Sequence, residues 1–214
     1  MDEDIAIIDT RTRNEKIKNF FVKYKRLLII GVTLLVLLIL SFYSYKIFKD
    51  NQRELTSEKY NNAVIQYKNS DQSEVILLMK EVINIKDSTY SPLALYFLID
   101  NNLIKNKNEV INLFDILIEQ TSLEKEIKNL IIYKKALFIA DTSNENQLLK
   151  VLKPILNPES IWTSHALYLL AEYFYYKDEK QKSKEFFNQI LNLEKPNQDI
   201  IKETQKRLSR DLSD

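Results

Sequence analysis

Residues 27 to 45 read LLIIGVTLLVLLILSFYSY and contain no charged side chain. An α-helix rises about 1.5 Å per residue, so the run covers about 28 Å, the thickness of a bilayer's hydrocarbon core. A cleaved signal peptide would have a shorter basic head and a small-residue cleavage site, but Leu38 to Tyr45 contains neither Ala nor Gly. A buried core helix would normally show a polar face. The run therefore predicts a transmembrane helix.

The charges flanking this run predict its orientation. The sixteen residues before it carry seven Lys or Arg, and the sixteen after it carry four. Lys and Arg are preferentially retained on the cytoplasmic side, so the N-terminus is predicted to lie inside. The chain is then a single-pass protein of the bacterial inner membrane, with its larger C-terminal part in the periplasm. Aromatic residues bracket both ends, as at membrane interfaces: Phe20, Phe21, Tyr24, Phe42, Tyr43, Tyr45 and Phe48.

The tail before the run has two interpretations. Residues 13–26 place Ile17, Phe20, Phe21 and Tyr24 at helical spacing on one face, with lysines on the other. Such a pattern is typical of an amphipathic helix on the inner leaflet. A simple cytoplasmic extension of the span explains the same residues equally well.

The composition favours an all-helical protein. Gly31 is the only glycine and lies in the apolar run, so the rest of the chain lacks the residue that tight hairpins and phosphate loops favour. The chain has no cysteine, which excludes disulfides, thiolate metal sites and a lipid-modified cysteine. A net charge of +1 offers no electrostatic argument for nucleic acid.

Two sets of apolar segments repeat along the chain after the span. The first set contains a tyrosine at intervals of 36, 37 and 35 residues: Tyr60, Tyr96, Tyr133 and Tyr168. The second set recurs at intervals of 35, 38 and 35 residues: EVILLMKEVI from Glu74, EVINLFDILI from Glu109, QLLKVLKPIL from Gln147 and KSKEFFNQIL from Lys182. A period near 35 is typical of stacked helical hairpins, whose apolar faces are buried only by stacking. Pro154 falls inside one predicted helix and should kink it or shift its start.

The last of these units is the most diagnostic. Leu167, Leu170 and Phe174 form one stripe, and Ala171 is a small residue where two helices would approach closely. This unit resembles the tetratricopeptide repeat, with Ala171 for the usual Gly and Ser183 for the usual Ala. The predicted fold is all-α: one transmembrane helix, then an α-solenoid of about four degenerate tetratricopeptide-like hairpins and a C-terminal capping helix near Gln198 to Leu212. The predicted domains are a cytoplasmic tail at 1–26, the span at 27–45, a helical connector at 46–55 and the periplasmic repeat domain at 56–214.

The sequence offers little catalytic chemistry. His165 is the only histidine, so a multi-His metal site or a Ser-His-Asp triad cannot form without it. The acidic pairs Glu124 with Glu126 and Asp178 with Glu179 fall at predicted helix starts or turns, where they complement helix dipoles or solvate loops. Trp162 is interpreted as a packing residue rather than a ligand platform. We expect a protein that is not an enzyme and has no metal, cofactor or small-molecule substrate.

A partner groove is the candidate site. By analogy with tetratricopeptide hairpins, its face would include seven residues: Tyr96, Tyr133, His165, Tyr168, Glu172, Tyr175 and Tyr176. A tyrosine gives a large rigid contact and a polar tip, which suits protein or peptide binding. The alternative is that these tyrosines pack between repeats with their hydroxyls at the rim.

Nearly the whole chain resembles a bacterial family, the ancillary subunit of the Sec translocon. The resemblance is carried by the opening MDEDI, by KNFFVKYKRLLI at residues 18–29, by LEKEIKNLIIYKKALFIADTS at residues 123–143, and above all by LKPILNPESIWTSHALYLLAEYFYYKD from Leu152 to Asp178. The family implies a short cytoplasmic tail, one span and a periplasmic tetratricopeptide-like domain. It also implies association with the translocon and with a membrane-anchored periplasmic chaperone or prolyl isomerase.

The leading functional hypothesis is a non-enzymatic membrane-anchored scaffold for protein interaction, an accessory of the Sec translocon that links it to periplasmic chaperones for exported proteins. One alternative is an envelope assembly or cell-division coordinator of the tetratricopeptide type. Another is a single-span regulatory protein, which would need a cytoplasmic partner because residues 1–26 are too short for a folded signalling domain.

Overall fold

The computed structural model describes the backbone of residues 2–68 and 72–212, and the side chains of these residues from Lys18 onward except that of Phe21. The apolar face predicted at 13–26 therefore lies partly outside the described side chains. The chain divides into two compact units, Met1–Glu54 and Leu55–Asp214. We call the second unit the helical body.

All regular secondary structure of the described residues is helical, which confirms the predicted all-α class. Short π-helical and 3-10 turns follow two of the helices, at Ile116–Gln120 and Lys153–Ile155. The α-helices are α1 Asp2–Tyr67, α2 Gln72–Ile85, α3 Tyr90–Asp100, α4 Lys107–Asp115, α5 Lys125–Ile139, α6 Glu145–Leu152, α7 Thr163–Tyr176, α8 Lys180–Leu191 and α9 Gln198–Asp211.

Helix α1 carries the apolar run. Within the described residues, one helical stretch, Val22–Tyr67, is long and apolar enough to cross a membrane, and none of its most apolar window is buried. Leu27 and Leu38 expose 68% and 69% of their surface. The apolar side chains of a core helix are covered by the rest of its chain, and those of this stretch are not. The predicted long apolar N-terminal helix is confirmed.

The core of the helical body consists of three hydrophobic clusters that follow one another along the chain. The first lies between Ala63 and Ile131, the second between Ile132 and Phe174, and the third between Leu167 and Leu212. Helices mainly contact their neighbours in sequence, such as α2 with α3, α5 with α6 and α7 with α8. Ala171 and Ser183 are completely buried. Small side chains at these positions allow α7 and α8 to pack closely, as their sequence predicts.

Pro154 ends a helix rather than kinking it. Helix α6 stops at Leu152, and Pro154 lies in the 3-10 turn that follows. Proline has no backbone N–H and its ring clashes with the preceding turn of an α-helix, so the wider segment predicted from Gln147 is cut short. The opposite end of α6 is well capped, because Asn144 and Gln147 exchange side-chain-to-backbone hydrogen bonds of 2.9 and 3.0 Å.

The helical body contains no glycine, and residues that follow three of its helices take positive φ values instead. These are Lys86 at 61°, Asn102 at 53° and Asp178 at 61°. After Asn102 and Asp178, the next N–H reaches back five residues, to the carbonyls of Leu98 and Phe174 at 3.0 and 2.9 Å. This is the bond that usually accompanies a glycine after a helix.

Replacing Lys86 with glycine is expected to stabilise the protein by about 0.5–1 kcal/mol. An L-residue in the left-handed region costs about 1–2 kcal/mol, and the larger unfolded-state entropy of glycine offsets part of the gain. Denaturant unfolding in detergent measures the change. Asn102→Gly is the matched control and should gain less, since asparagine tolerates this conformation. A loss of stability in Lys86→Gly would show that the Lys86 side chain contributes more than its backbone costs.

Candidate interaction surfaces

Three of the four recurring tyrosines, Tyr60, Tyr96 and Tyr133, lie where one tyrosine-bearing helix meets the next; the fourth, Tyr168, packs on Phe187 of α8. Ring centroids are 5.8 Å apart between Tyr60 on α1 and Tyr90 on α3. Tyr96 on α3 meets α5, because the Lys134 ammonium lies 4.1 Å from its ring centroid. Burial raises the pKa of Tyr96 to about 12, with a further contribution from the charge of Asp100. The structure therefore uses these rings as contacts between helices, where the sequence also allowed a partner-facing role.

Tyr133 belongs to an aromatic cluster at the junction of α5 and α7. Its ring stacks on Trp162 at 5.8 Å and an interplanar angle of 24°, and contacts His165 edge-on at 5.7 Å. The Trp162 indole N–H donates to the Glu126 carbonyl at 3.1 Å. Trp162 thus packs as predicted, and burial raises the pKa of Tyr133. Two of the predicted groove residues, Tyr133 and His165, are brought together here.

The predicted acidic pairs lie at helix starts and turns, as expected. Glu124 precedes α5 and Glu126 is in its first turn, while Asp178 and Glu179 connect α7 to α8. The Glu126 carboxylate accepts hydrogen bonds from Ser160 at 3.1 Å and Asn129 at 3.3 Å. The bond from Ser160 holds the segment before α7 against α5, which is a structural role.

Protonation of His165 should destabilise the body. Its Nδ1 is buried without a hydrogen-bond partner among the described residues, and burial lowers its pKa. Because the folded pKa is below the unfolded value of about 6.5, the unfolded state binds the proton more readily. Stability is therefore full above that pH and decreases as pH falls toward the folded pKa.

We expect thermal unfolding in detergent to show this loss as the pH falls below the unfolded value of about 6.5, and His165→Phe to remove it. Phenylalanine preserves an aromatic ring beside Tyr133 but cannot titrate. An unchanged pH dependence in His165→Phe would assign the effect to other groups.

Helix α9 covers the predicted groove positions Tyr168, Glu172 and Tyr175 of α7. The Arg207 guanidinium donates two hydrogen bonds to the Glu172 carboxylate, at 2.6 and 2.9 Å, and lies 4.2 Å from the Tyr175 ring centroid. Only 13% of the Arg207 side chain is exposed. Burial, followed by the charge of Glu172, raises the pKa of Tyr168 to about 12. At this end of the predicted groove face, the side chains contact α9 and remain partly exposed.

Tyr176 is the most accessible of the predicted groove residues. Its exposed fraction is 83%, whereas Tyr96, Tyr133, His165, Tyr168, Glu172 and Tyr175 are each partly buried. The Tyr96 hydroxyl has no hydrogen-bond partner among the described residues. Six of the seven residues therefore lie in three contact regions, around Tyr96, around Tyr133 with His165, and around the Arg207 contact. Tyr176 is exposed to solvent.

A cleft of about 770 Å³ lies on the helical body between α4, α5 and α6. We call it the α4–α6 cleft. Its apolar surface comes from all three helices and from the π-helical turn: Ile111, Ile118, Ile132, Ile139 and Val151. Its charged side chains are Lys107, Asp115, Glu119, Lys135 and Lys150. In volume and in its combination of apolar and polar groups, the cleft lies within the range of ligand-binding sites.

No family model, no curated protein and no solved structure matches the chain.

The described residues contain no group of three or more His, Cys, Asp or Glu side chains placed to hold a metal ion. Sequence reasoning missed both the contact of Arg207 with α7 and the α4–α6 cleft. For the helix that carries Arg207, the sequence predicts a capping role but no individual contact. The cleft had a weak signal in the helical spacing of Ile132, Lys135 and Ile139, which places a charged residue between two buried ones.

Proposed function

We propose that this protein is a non-enzymatic scaffold anchored in the bacterial inner membrane by α1, and that it acts as an accessory of the Sec translocon. Its helical body lies in the periplasm and links the translocon to a membrane-anchored chaperone or prolyl isomerase. The observation that carries this proposal is the exposed apolar run of α1, since 19 consecutive uncharged residues presented outward suit hydrocarbon rather than water.

The helical body is proposed to be a tetratricopeptide-like solenoid of four hairpins with α9 as its cap. The pairing would be the end of α1 with α2, α3 with α4, α5 with α6 and α7 with α8. Three consecutive core clusters support this arrangement, because in a solenoid each unit contacts mainly its neighbours. The close packing of α7 on α8 at Ala171 and Ser183 supports it as well.

The proposed mechanism is tethering. A span with more basic residues before it than after it would hold the body on the outer side of the membrane. Confinement beside the export channel raises the local concentration of the chaperone there without any new contact. Tetratricopeptide-like solenoids offer extended surfaces for such partners, and the resemblance of the tail and of residues 152–178 to the translocon accessory family indicates which partners to test.

Site-specific photocrosslinking in intact membranes tests this function. A photoreactive residue at Leu38 samples partners within the bilayer, and one at Tyr176 samples partners of the body. We expect translocon subunits at the first position and a periplasmic chaperone at the second. Division proteins or outer-membrane assembly factors at both positions, with no translocon subunit, would contradict the proposal. The Tyr176 probe in a variant without a working span is the control, and it should lose its partner.

A further inference from the structure

We propose that the α4–α6 cleft binds an apolar peptide segment that carries acidic side chains, contributed by a partner protein. The inference goes beyond the proposed scaffold function and does not depend on the translocon. It rests on the shape, the apolar lining and the unbalanced charge of the cleft.

The cleft lies between three helices, of which α5 is the central one because it packs against both α4 and α6. Ile132 and Ile139 of α5 line it and are 4% and 8% exposed. Ile111 and Ile118 line it as well, as does Val151 of α6. Lys107 and Glu119 are twelve positions apart along α4 and the π-helical turn that follows it, which gives at most about 18 Å. This length accommodates about twelve residues of a helical peptide or about six of an extended one.

The charges of the cleft leave an excess of positive groups. Lys135 and Asp115 form an ion pair with each other, and only 12% of the Lys135 side chain is exposed. Lys107 and Lys150 form no ion pair within the part of the chain that the structure describes, and Glu119 is the only remaining acid of the lining. Lys107 also lies in the first turn of α4, where the helix dipole adds positive potential.

This charge distribution selects the occupant. A peptide with apolar side chains alone would cover the partly exposed Ile111 and Ile118 but leave Lys107 and Lys150 without partners. Acidic side chains on the same peptide would pair with them at the rim, where such pairs contribute mainly to specificity and to the rate of association. A basic peptide would meet two like charges. A segment with both apolar and acidic side chains therefore packs on the apolar lining and also pairs with the two lysines.

Fluorescence anisotropy with the full chain in detergent micelles tests the inference. The probes are two labelled peptides of about twelve residues, with leucine or isoleucine at helical spacing and either two glutamates or two lysines between them. We expect the glutamate peptide to bind at least about tenfold more tightly than the lysine peptide. Equal affinities would overturn the inference.

The charge-reversal variant Lys107→Glu with Lys150→Glu should bind the glutamate peptide about tenfold more weakly and the lysine peptide more tightly. Both lysines are exposed, so the fold should tolerate the change. Lys68→Glu with Lys195→Glu is the matched control, since both are exposed, lie outside the cleft lining and change the net charge equally. The inference is wrong if the two variants behave alike. It is also wrong if a second copy of the chain fills the cleft, which a smaller particle mass in the first variant alone would reveal.

Discussion

Replacing both Leu34 and Leu38 with arginine is expected to release the protein from the membrane fraction. The two side chains lie in the centre of the apolar run, and 57% and 69% of their surfaces are exposed. An arginine near the middle of a span opposes insertion by about 2.5–3.5 kcal/mol, so two of them oppose it by about 5–7 kcal/mol. Fractionation of cells followed by alkaline extraction of the membranes measures the effect.

The matched control replaces Leu55 and Ile65 with arginine. These residues are in the same helix and are 54% and 61% exposed, but they lie beyond the apolar run. This control should remain with the membranes. If both double variants stay in the membrane fraction after extraction, α1 is not the anchor and the compartment assigned to the helical body loses its basis.

Phe174→Ala is expected to lower the free energy of unfolding by about 4 kcal/mol. Phe174 is 1% exposed, and its ring stacks on Phe186 with centroids 5.4 Å apart and planes 3° from parallel. Truncation removes this contact and leaves a cavity between α7 and α8. Denaturant unfolding followed by circular dichroism gives the change in free energy, provided that the slope of the transition is unchanged.

Tyr176→Ala is the control for this experiment. Tyr176 lies two residues later in the same helix, but its exposed fraction of 83% leaves little contact to lose. We expect a change within about 0.5 kcal/mol. Equal losses in the two variants would mean that the packing of Phe174 against α8 does not stabilise the body.

The helices were predictable because their signal is local. A stripe such as Leu167, Leu170 and Phe174 identifies a buried face from spacing alone, and all three residues are buried. The end of α6 was less predictable. Its apolar pattern continues past Leu152 to Ile155, and only the missing N–H and the ring of Pro154 turn the last part into a 3-10 turn.

The candidate site was less predictable, because it depends on distances between helices. The spacing of Tyr168 and Glu172 placed them on one face, but it did not tell which element faces them. Arg207, which binds Glu172, is 35 positions away. The α4–α6 cleft likewise depends on how helices that are separate in sequence pack together. Each of its three helices contributes an ordinary helical stripe, and the cleft exists only because α4, α5, α6 and the π-helical turn meet around one space.

Labelling of single cysteines in intact cells tests the central claim most directly, namely that α1 crosses the inner membrane and leaves the helical body outside the cytoplasm. The chain has no natural cysteine, so Lys18→Cys and Tyr176→Cys each introduce one reactive site, and both positions are exposed. A maleimide that crosses the outer but not the inner membrane is the probe. We expect Tyr176→Cys to be labelled in intact cells and Lys18→Cys only after the inner membrane is disrupted. The reverse pattern, or labelling of both only after disruption, would contradict this claim.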